Sequence, residues 1–551
     1  MNAVTQVDFE PVIYVDGRVL TMAPSGMTAE AFVVIGDRFA FVGEADEARM
    51  RFPLAREVSL QGRDVIPGLI ESHSHPDLEA NFVTEWACFS YPKYGSKDEV
   101  LAYIAANAGK PTADGFLKGY GYDDIKLRGY PSLDELDAVA PETPVFIMRT
   151  DGHVGIANSI ALKQCGLYAP GSDDGMKFGS VDRDASGRPT GLLREAAAEV
   201  LAAPLQGAVT YENMKRGLKI VFEEYARRGI TSVHNSLTTE IAYKAYQELY
   251  RNGELNIRVG AILSGRDGDF IDRVIASGTK NYFGNDFVRI IGVEWCPDCS
   301  TSGRTAAYHE PYVGKPIDGE PVPNHGILLH DVDEFADYVM RAHEAGFVVC
   351  ADGVGDRGID FVLDGYEKAL TALPKEDHRF RVEHCCYVTP RILERLKQLK
   401  VIASSATGFA YDLGDAYVRN RGADAMKYMW PHRTLNDSGI VAPGHSDAPI
   451  CEVNPFRGMY SMVARKTDTG TSLYEGEAIS NIEALNCYTY LAAYSGREEA
   501  AKGTIEAGKL ADFAVVDRDL SSVTAEELRN TKVLATYLGG RKIYEADDKG
   551  Q

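Results

Sequence analysis

The sequence predicts an α/β protein: a (β/α)8 TIM-like metallo-barrel, a small composite β domain built from both termini, and a long insertion after barrel strand one. Three observations carry this expectation. Short apolar strands alternate with helical patterns through the middle of the chain, both ends carry Val/Ile/Phe-rich strands broken by hairpin signals, and several central strands end in His, Asp or Glu. At 551 residues, with 45% hydrophobic and 25% charged positions, the chain exceeds one ordinary compact domain, so a large domain plus at least one smaller one is expected.

The β domain comes first in the chain. Residues 11–43, PVIYVDGRVLTMAPSGMTAEAFVVIGDRFAFVG, break at Asp16-Gly17 and Gly36-Asp37, and the tail segments GKLADFAVVDRDL and VLATYLGGRKIYE turn at Gly539-Gly540. A lone hairpin is marginal in water. The two ends are therefore expected to fold together as a β-sandwich of residues 1–63 and 491–551. The barrel is expected over 64–490, with strands at 64–70, 229–235, 257–264, 288–295, 347–352, 380–385, 401–406 and 440–447. Helical segments such as YENMKRGLKIVFEEYARRG and DEFADYVMRAHEAG separate them, the alternation of a parallel sheet. TPVFIMR at 143–149 is an equally good strand, assigned to an insertion of about 76–210 between strands one and two.

Composition narrows the partners. A formal net charge of −22 repels phosphate backbones and anionic membrane surfaces, which excludes nucleic acid and lipid headgroups and leaves a small-molecule substrate. The assembly allowed for is a homodimer. No apolar run reaches the roughly 18 residues of a membrane span, and the start MNAVTQVDFEP has no basic stretch followed by an apolar core, so a cytoplasmic chain is expected. Nine cysteines in such a chain read as reduced, buried thiols, with no disulfide framework.

The strand ends carry the chemistry, because a barrel of this kind builds its site there. Strand one ends at His73 and His75 in PGLIESHSHPD, strand four at Glu294, strand five at Asp352, strand six at Glu383-His384 and strand eight at Asp447. Residues i and i+2 of a strand point the same way, so His73 and His75 can present two imidazoles to one ion. A lone His-x-His is equally well explained by rings satisfied from the backbone; ligand-type residues on four other strand ends argue against that. A divalent ion acidifies a bound water and polarises a carbonyl, and Asp447 is the carboxylate chosen to accept the proton. The competing reading of Asp447 is a helix N-cap, since HSDAP can open a helix.

The chain resembles the amidohydrolase superfamily, in particular the amidohydrolase 3 or YtcJ-like group typified by N-substituted formamide deformylases. The resemblance runs nearly end to end through DVIPGLIESHSHPD, RTDGHVGIANSIAL, GRPTGLLREAA, GVEWCPDCSTSGRTA, GVGDRGIDFVLDGYEKA, HRFRVEHCCYVTP, GHSDAPICEVNPFRG and GTIEAGKLADFAVVD. It implies a composite β domain with a metallo-barrel, one or two divalent ions, and hydrolysis of an amide, formamide or cyclic C–N bond. It implies His73, His75, His384 and Asp447 as ligands, with Asp447 also the general base. Zinc is the first expectation, and a carboxylate-rich set also admits manganese or iron.

Two positions depart from the group's pattern: Glu294 stands where a bridging lysine is usual, and Asp352 where a histidine is usual, ahead of Gly355-Asp356. His445 replaces the small residue expected before SDAP, with no role assigned. His153 and Arg304 lie in motifs that line the group's pocket and are expected substrate contacts. Trp295 and Tyr308 flank strand four and suggest an aromatic wall, against the reading that an aromatic at a strand end is more often core. Arg304 reads equally as an ion-pair partner. Cys296 and Cys299 lack a second pair and read as ordinary thiols beside the site. A metal-dependent lyase or decarboxylase on the same barrel, and a non-catalytic small-molecule binding protein, remain as alternatives to the hydrolase.

Overall fold

The computed structural model describes residues 10–24, 26–266, 269–316 and 320–546. The leader reading of the first nine residues, and the outer ends of the expected β domain, lie outside them. Seven parallel strands form the barrel sheet: Leu69–Ser74, Ile230–Thr238, Arg258–Ser264, Val288–Trp295, Val349–Gly353, Arg381–His384 and Ile402–Ala403, each hydrogen-bonded to the next. The expected eighth strand, 440–447, makes no ladder. It closes the gap through a parallel bridge from Ser405 to Gly444 and a hydrogen bond from Asp447 N–H to the His73 carbonyl at 3.2 Å. Two features bend it out of strand geometry, Pro443 without an N–H and Asp447 at φ 61°.

Helices cover the outside of the sheet with one apolar stripe each. Val332–Glu344 buries Phe335, Val339, Ala342 and His343, spaced to face one side of a 3.6-residue turn, and packs against Asp356–Ala372. Strand one differs from its sequence reading. Asp64–Pro67 and Leu69–Ser74 are separate strands in separate sheets, divided at Gly68, where a Cβ would overlap the Thr231 side chain. Asp64–Pro67 instead pairs antiparallel with Phe513–Val516 and parallel with Arg18–Ala23.

That pairing places strands from both ends of the chain in one six-stranded sheet, with Arg541–Glu545 and Val533–Leu538 on one side and Gly26–Ala29 on the other. A four-stranded sheet of Arg38–Gly43, Ala31–Ile35, Val12–Val15 and Arg56–Ser59 faces it. The two share an aromatic core: Tyr14 stacks on Phe32 at 4.7 Å and Phe513 on Tyr537 at 4.3 Å, with Phe32 edge-on to Phe513. Within the insertion lies a further six-stranded sheet, ordered Gly179–Arg183, Pro189–Glu195, Val154–Ala157, Val145–Arg149, Leu117–Tyr122 and Ala87–Cys88. Arg149 ties it to the barrel mouth by bonding Asp124 and, 2.9 Å away, Ser302.

Candidate metal centre

Both histidines of strand one are oriented from behind. Nδ1 of His75 lies 3.0 Å from the Ser236 carbonyl, which can only accept, so this nitrogen carries the proton and Nε2 keeps a lone pair. Nδ1 of His73 lies 2.8 Å from Glu383 Oε2, and Glu383 is gripped by Arg381 at 2.6 and 2.9 Å. The two Nε2 atoms converge on Asp447 Oδ1, at 3.1 Å from His73 and 3.0 Å from His75. Asp447 and His384 hold left-handed backbones, φ 61° and 64°, a conformation that costs on the order of 1–3 kcal/mol and gathers at functional sites.

Around this trio stand the other strand ends. Glu294 accepts the Leu237 N–H at 3.1 Å and the Ser236 hydroxyl through Oε2, while Oε1 lies 3.9 Å from His73 Nδ1. Asp352 Oδ1 is 3.4 Å from His384 Nε2. His73 Nε2, Glu294 Oε1, Asp352 Oδ1, His384 Nδ1 and Asp447 Oδ1 are all buried without a hydrogen-bond partner. Five orphaned polar atoms in one place are more than a native interior tolerates unless something else completes them. A divalent cation fits: the donors are imidazole nitrogens and carboxylate oxygens, and His73, His75 and Asp447 offer ligand atoms within 4.8 Å of one another.

The electrostatics agree. Burial pushes the Glu294 carboxyl up to about 7, opposed by His73 and reinforced by Asp352 and Glu383. Asp447 is driven up by burial but held well below the usual range by His384, His73 and His75. His73 loses by burial yet is raised well above an ordinary imidazole by Glu294, Asp447 and Glu383. Carboxylates in excess of the cations beside them favour the binding of a divalent ion.

The centre forms the floor of a cavity of about 1520 Å³, reached by His75, Asp352, His384 and Asp447, with Phe82, Tyr120 and Met148 among its walls. His153 lines it too, paired with Glu195 at 2.8 Å, and burial notwithstanding Glu195 raises its imidazole to about 9.

Three residues expected at the pocket lie away from the cavity, and those expectations are corrected. Arg304 does not reach the cavity: its guanidinium is buried against Glu320 at 2.7 and 2.8 Å, the Val313 carbonyl and Asn420. Trp295 is not a substrate wall either. It stacks on Tyr338 of the outer helix at 5.4 Å, because it follows the inward-facing Glu294 and alternation turns it outward. Tyr308 bonds Thr301 away from the cavity. Cys296 and Cys299 are buried free thiols.

Sequence reasoning passed over Arg381 and Glu383 as orienting groups, although charges at i and i+2 of a buried strand signal an inward pair. Glu71 was also missed. It accepts the Ser446 N–H at 2.6 Å, and burial pushes it up to about 8, so it ties strand one to the segment bearing Asp447 as a neutral acid.

A parallel barrel with imidazoles and carboxylates gathered at its strand ends has the arrangement of a metal centre, and its likeness to known proteins makes it that of a metal-dependent hydrolase. The chain belongs to the amidohydrolase family, whose model matches residues 56–544. It is 28% identical to an N-substituted formamide deformylase of Arthrobacter pascens over 97% of this chain and 98% of that protein. Two crystal structures of uncharacterized metal-dependent hydrolases share the architecture. That from Pyrococcus horikoshii OT3 has a TM-score of 0.74 at 25% identity, covering 94% of this chain and 99% of its own. That from Pyrococcus furiosus has a TM-score of 0.71 at 26% identity, covering 93% and 100%.

Proposed function

We propose that the protein hydrolyses a C–N bond of a small molecule, an amide, formamide or cyclic amide, with one or two divalent ions held by His73, His75, Glu294, Asp352, His384 and Asp447. The observation that carries this reading is the cluster of orphaned donors on the cavity floor. The bound ion supplies Lewis acidity and an acidified water. Zinc is the metal the imidazoles favour, and the three carboxylates leave room for manganese or iron.

The residues do the rest. Asp447, charged and at the cavity floor, takes the proton from the attacking water and returns it to the leaving nitrogen. Glu383 and Ser236 keep the lone pairs of His73 and His75 aimed inward. His153, held as imidazolium by Glu195, donates to the substrate carbonyl or its developing oxyanion, and the apolar wall excludes water from the acyl side. The chain's net charge of −22 supports a small-molecule substrate over nucleic acid or membrane. The described residues include no helix long and apolar enough to cross a membrane.

Metal analysis joined to a screen of N-formyl and N-acyl compounds tests the proposal. Release of a free amine, dependent on the ion, is expected. Turnover unchanged after complete removal of metal would sink it, and released carbon dioxide without water addition would indicate a lyase.

A further inference from the structure

We propose that His445 is itself a metal ligand, a fourth imidazole brought to the centre by the eighth segment of the barrel. The inference rests on the metal-dependent reading above and adds a residue to it.

His445 is fully buried, and neither ring nitrogen has a hydrogen-bond partner. A neutral imidazole has one donor and one acceptor to satisfy, an imidazolium two donors, so a structural histidine buried in this way leaves both ends unmet. The neighbouring histidines differ. His73 uses Nδ1 on Glu383, His75 uses Nδ1 on the Ser236 carbonyl, and His384 has Nε2 beside Asp352. Among the described residues, His445 is the histidine with both ring nitrogens buried and unpartnered.

Its surroundings are ligands, not an apolar pocket. The ring centroid lies 4.7 Å from that of His73 and 5.3 Å from that of His384. His445, His73 and Glu383 offer ligand atoms within 4.8 Å of one another. The local backbone explains the placement. Gly444 bridges Ser405, the His445 N–H bonds the Ser405 carbonyl at 3.1 Å, and Asp447 follows two residues on. The eighth segment thus carries His445 and Asp447 to the same end of the barrel as His73 and His75.

The donor set explains why a fourth ring is useful. Strand five contributes a carboxylate, Asp352, and strand four another, Glu294, so without His445 three imidazoles face three carboxylates. A further neutral nitrogen donor raises the coordination available without adding negative charge to a site that already holds three buried carboxylates.

The test uses the full-length protein, stripped by a chelator and reloaded with zinc. Anomalous diffraction at the zinc edge should place an ion about 2.0–2.1 Å from a His445 nitrogen. An ion bound by His73, His75 and Asp447 with none in bonding distance of His445 overturns this inference and leaves the hydrolase reading standing; no ion at the centre overturns both. Equilibrium dialysis of His445→Asn against a competing chelator should show zinc affinity weakened about 100-fold, the upper end of what losing a ligand's partner costs. Unchanged affinity in folded variant protein overturns the inference. If the variant does not fold, the wild-type map decides.

Discussion

The barrel buries two layers of charge, and they differ in what is left over. At the base, Lys502 Nζ bonds Glu498 and Ser232 at 2.9 Å each, Glu498 bonds His234 Nε2 at 3.1 Å, and Arg381 donates to His234 Nδ1 at 3.3 Å. None of these side chains has an orphaned atom. At the mouth, the six side chains proposed to hold the hydrolytic ion carry five orphaned atoms, and His445 adds two. Burial alone therefore does not mark function. Unused bonding capacity gathered among ligand-type side chains is the better mark, because a satisfied network stabilises a fold while such a cluster is completed by something that binds.

The largest effect expected from this contrast is kinetic. Asp447→Asn should lower kcat by roughly 10²- to 10⁴-fold, the contribution of a positioned base, with only a modest drop in melting of the metal-free protein from losing the charge that His384, His73 and His75 attract. A stability loss matching the activity loss would mean the mouth is structural like the base. Next, Lys502→Met should cost about 3–5 kcal/mol by stranding Glu498 beside His234, read in denaturant melts, with the ion count per folded chain unchanged. Unaltered melting would erase the distinction from the other side.

Asp352→Asn should weaken metal affinity about 10- to 100-fold with little change in folding, measured by dialysis against a chelator. Retained metal with raised KM would make Asp352 a substrate contact instead. The smallest effect is on pH dependence, where the layers have opposite signs. Burial raises Glu498, but Lys502 and His234 bring it down to about 2 from 4.5, so its stabilisation is whole above pH 4.5 and lost as pH falls toward 2. Glu294 is raised from 4.5 to about 7, so metal-free protein should lose stability as pH climbs across that interval. Glu294→Gln should flatten the second limb and leave the first, and a persistent second limb would locate its source elsewhere.

Much of this was readable in the residues. His73-x-His75, Glu294, Asp352, His384 and Asp447 announce themselves by ending apolar strands, and the parallel alternation places those ends on one face. Other features were not. The apolar run through Ile66, Pro67 and Leu69 gives no sign that it serves two sheets, since either sheet buries it equally. Arg304 and Glu320 are paired across a loop, which spacing cannot reveal. Trp295 was misread against available information, since its parity with Glu294 already turned it toward the helices. His445 was visible, yet nothing in the sequence tells a ring with free nitrogens from one that is satisfied.

The ion pairs of the base and the orienting pair of the mouth share Arg381, so Lys502, Glu498, His234, Arg381, Glu383 and His73 form an unbroken column along the barrel. Lys502 stands only a few residues before Ile505, whose N–H bonds the Thr21 carbonyl of the β domain. The tail of the chain is thereby wired to the first histidine of the candidate metal centre. A chimera that kept this barrel but took its last segment from a relative would inherit every proposed ligand and still bind its ion differently, because the tuning of His73 is written at the other end of the molecule.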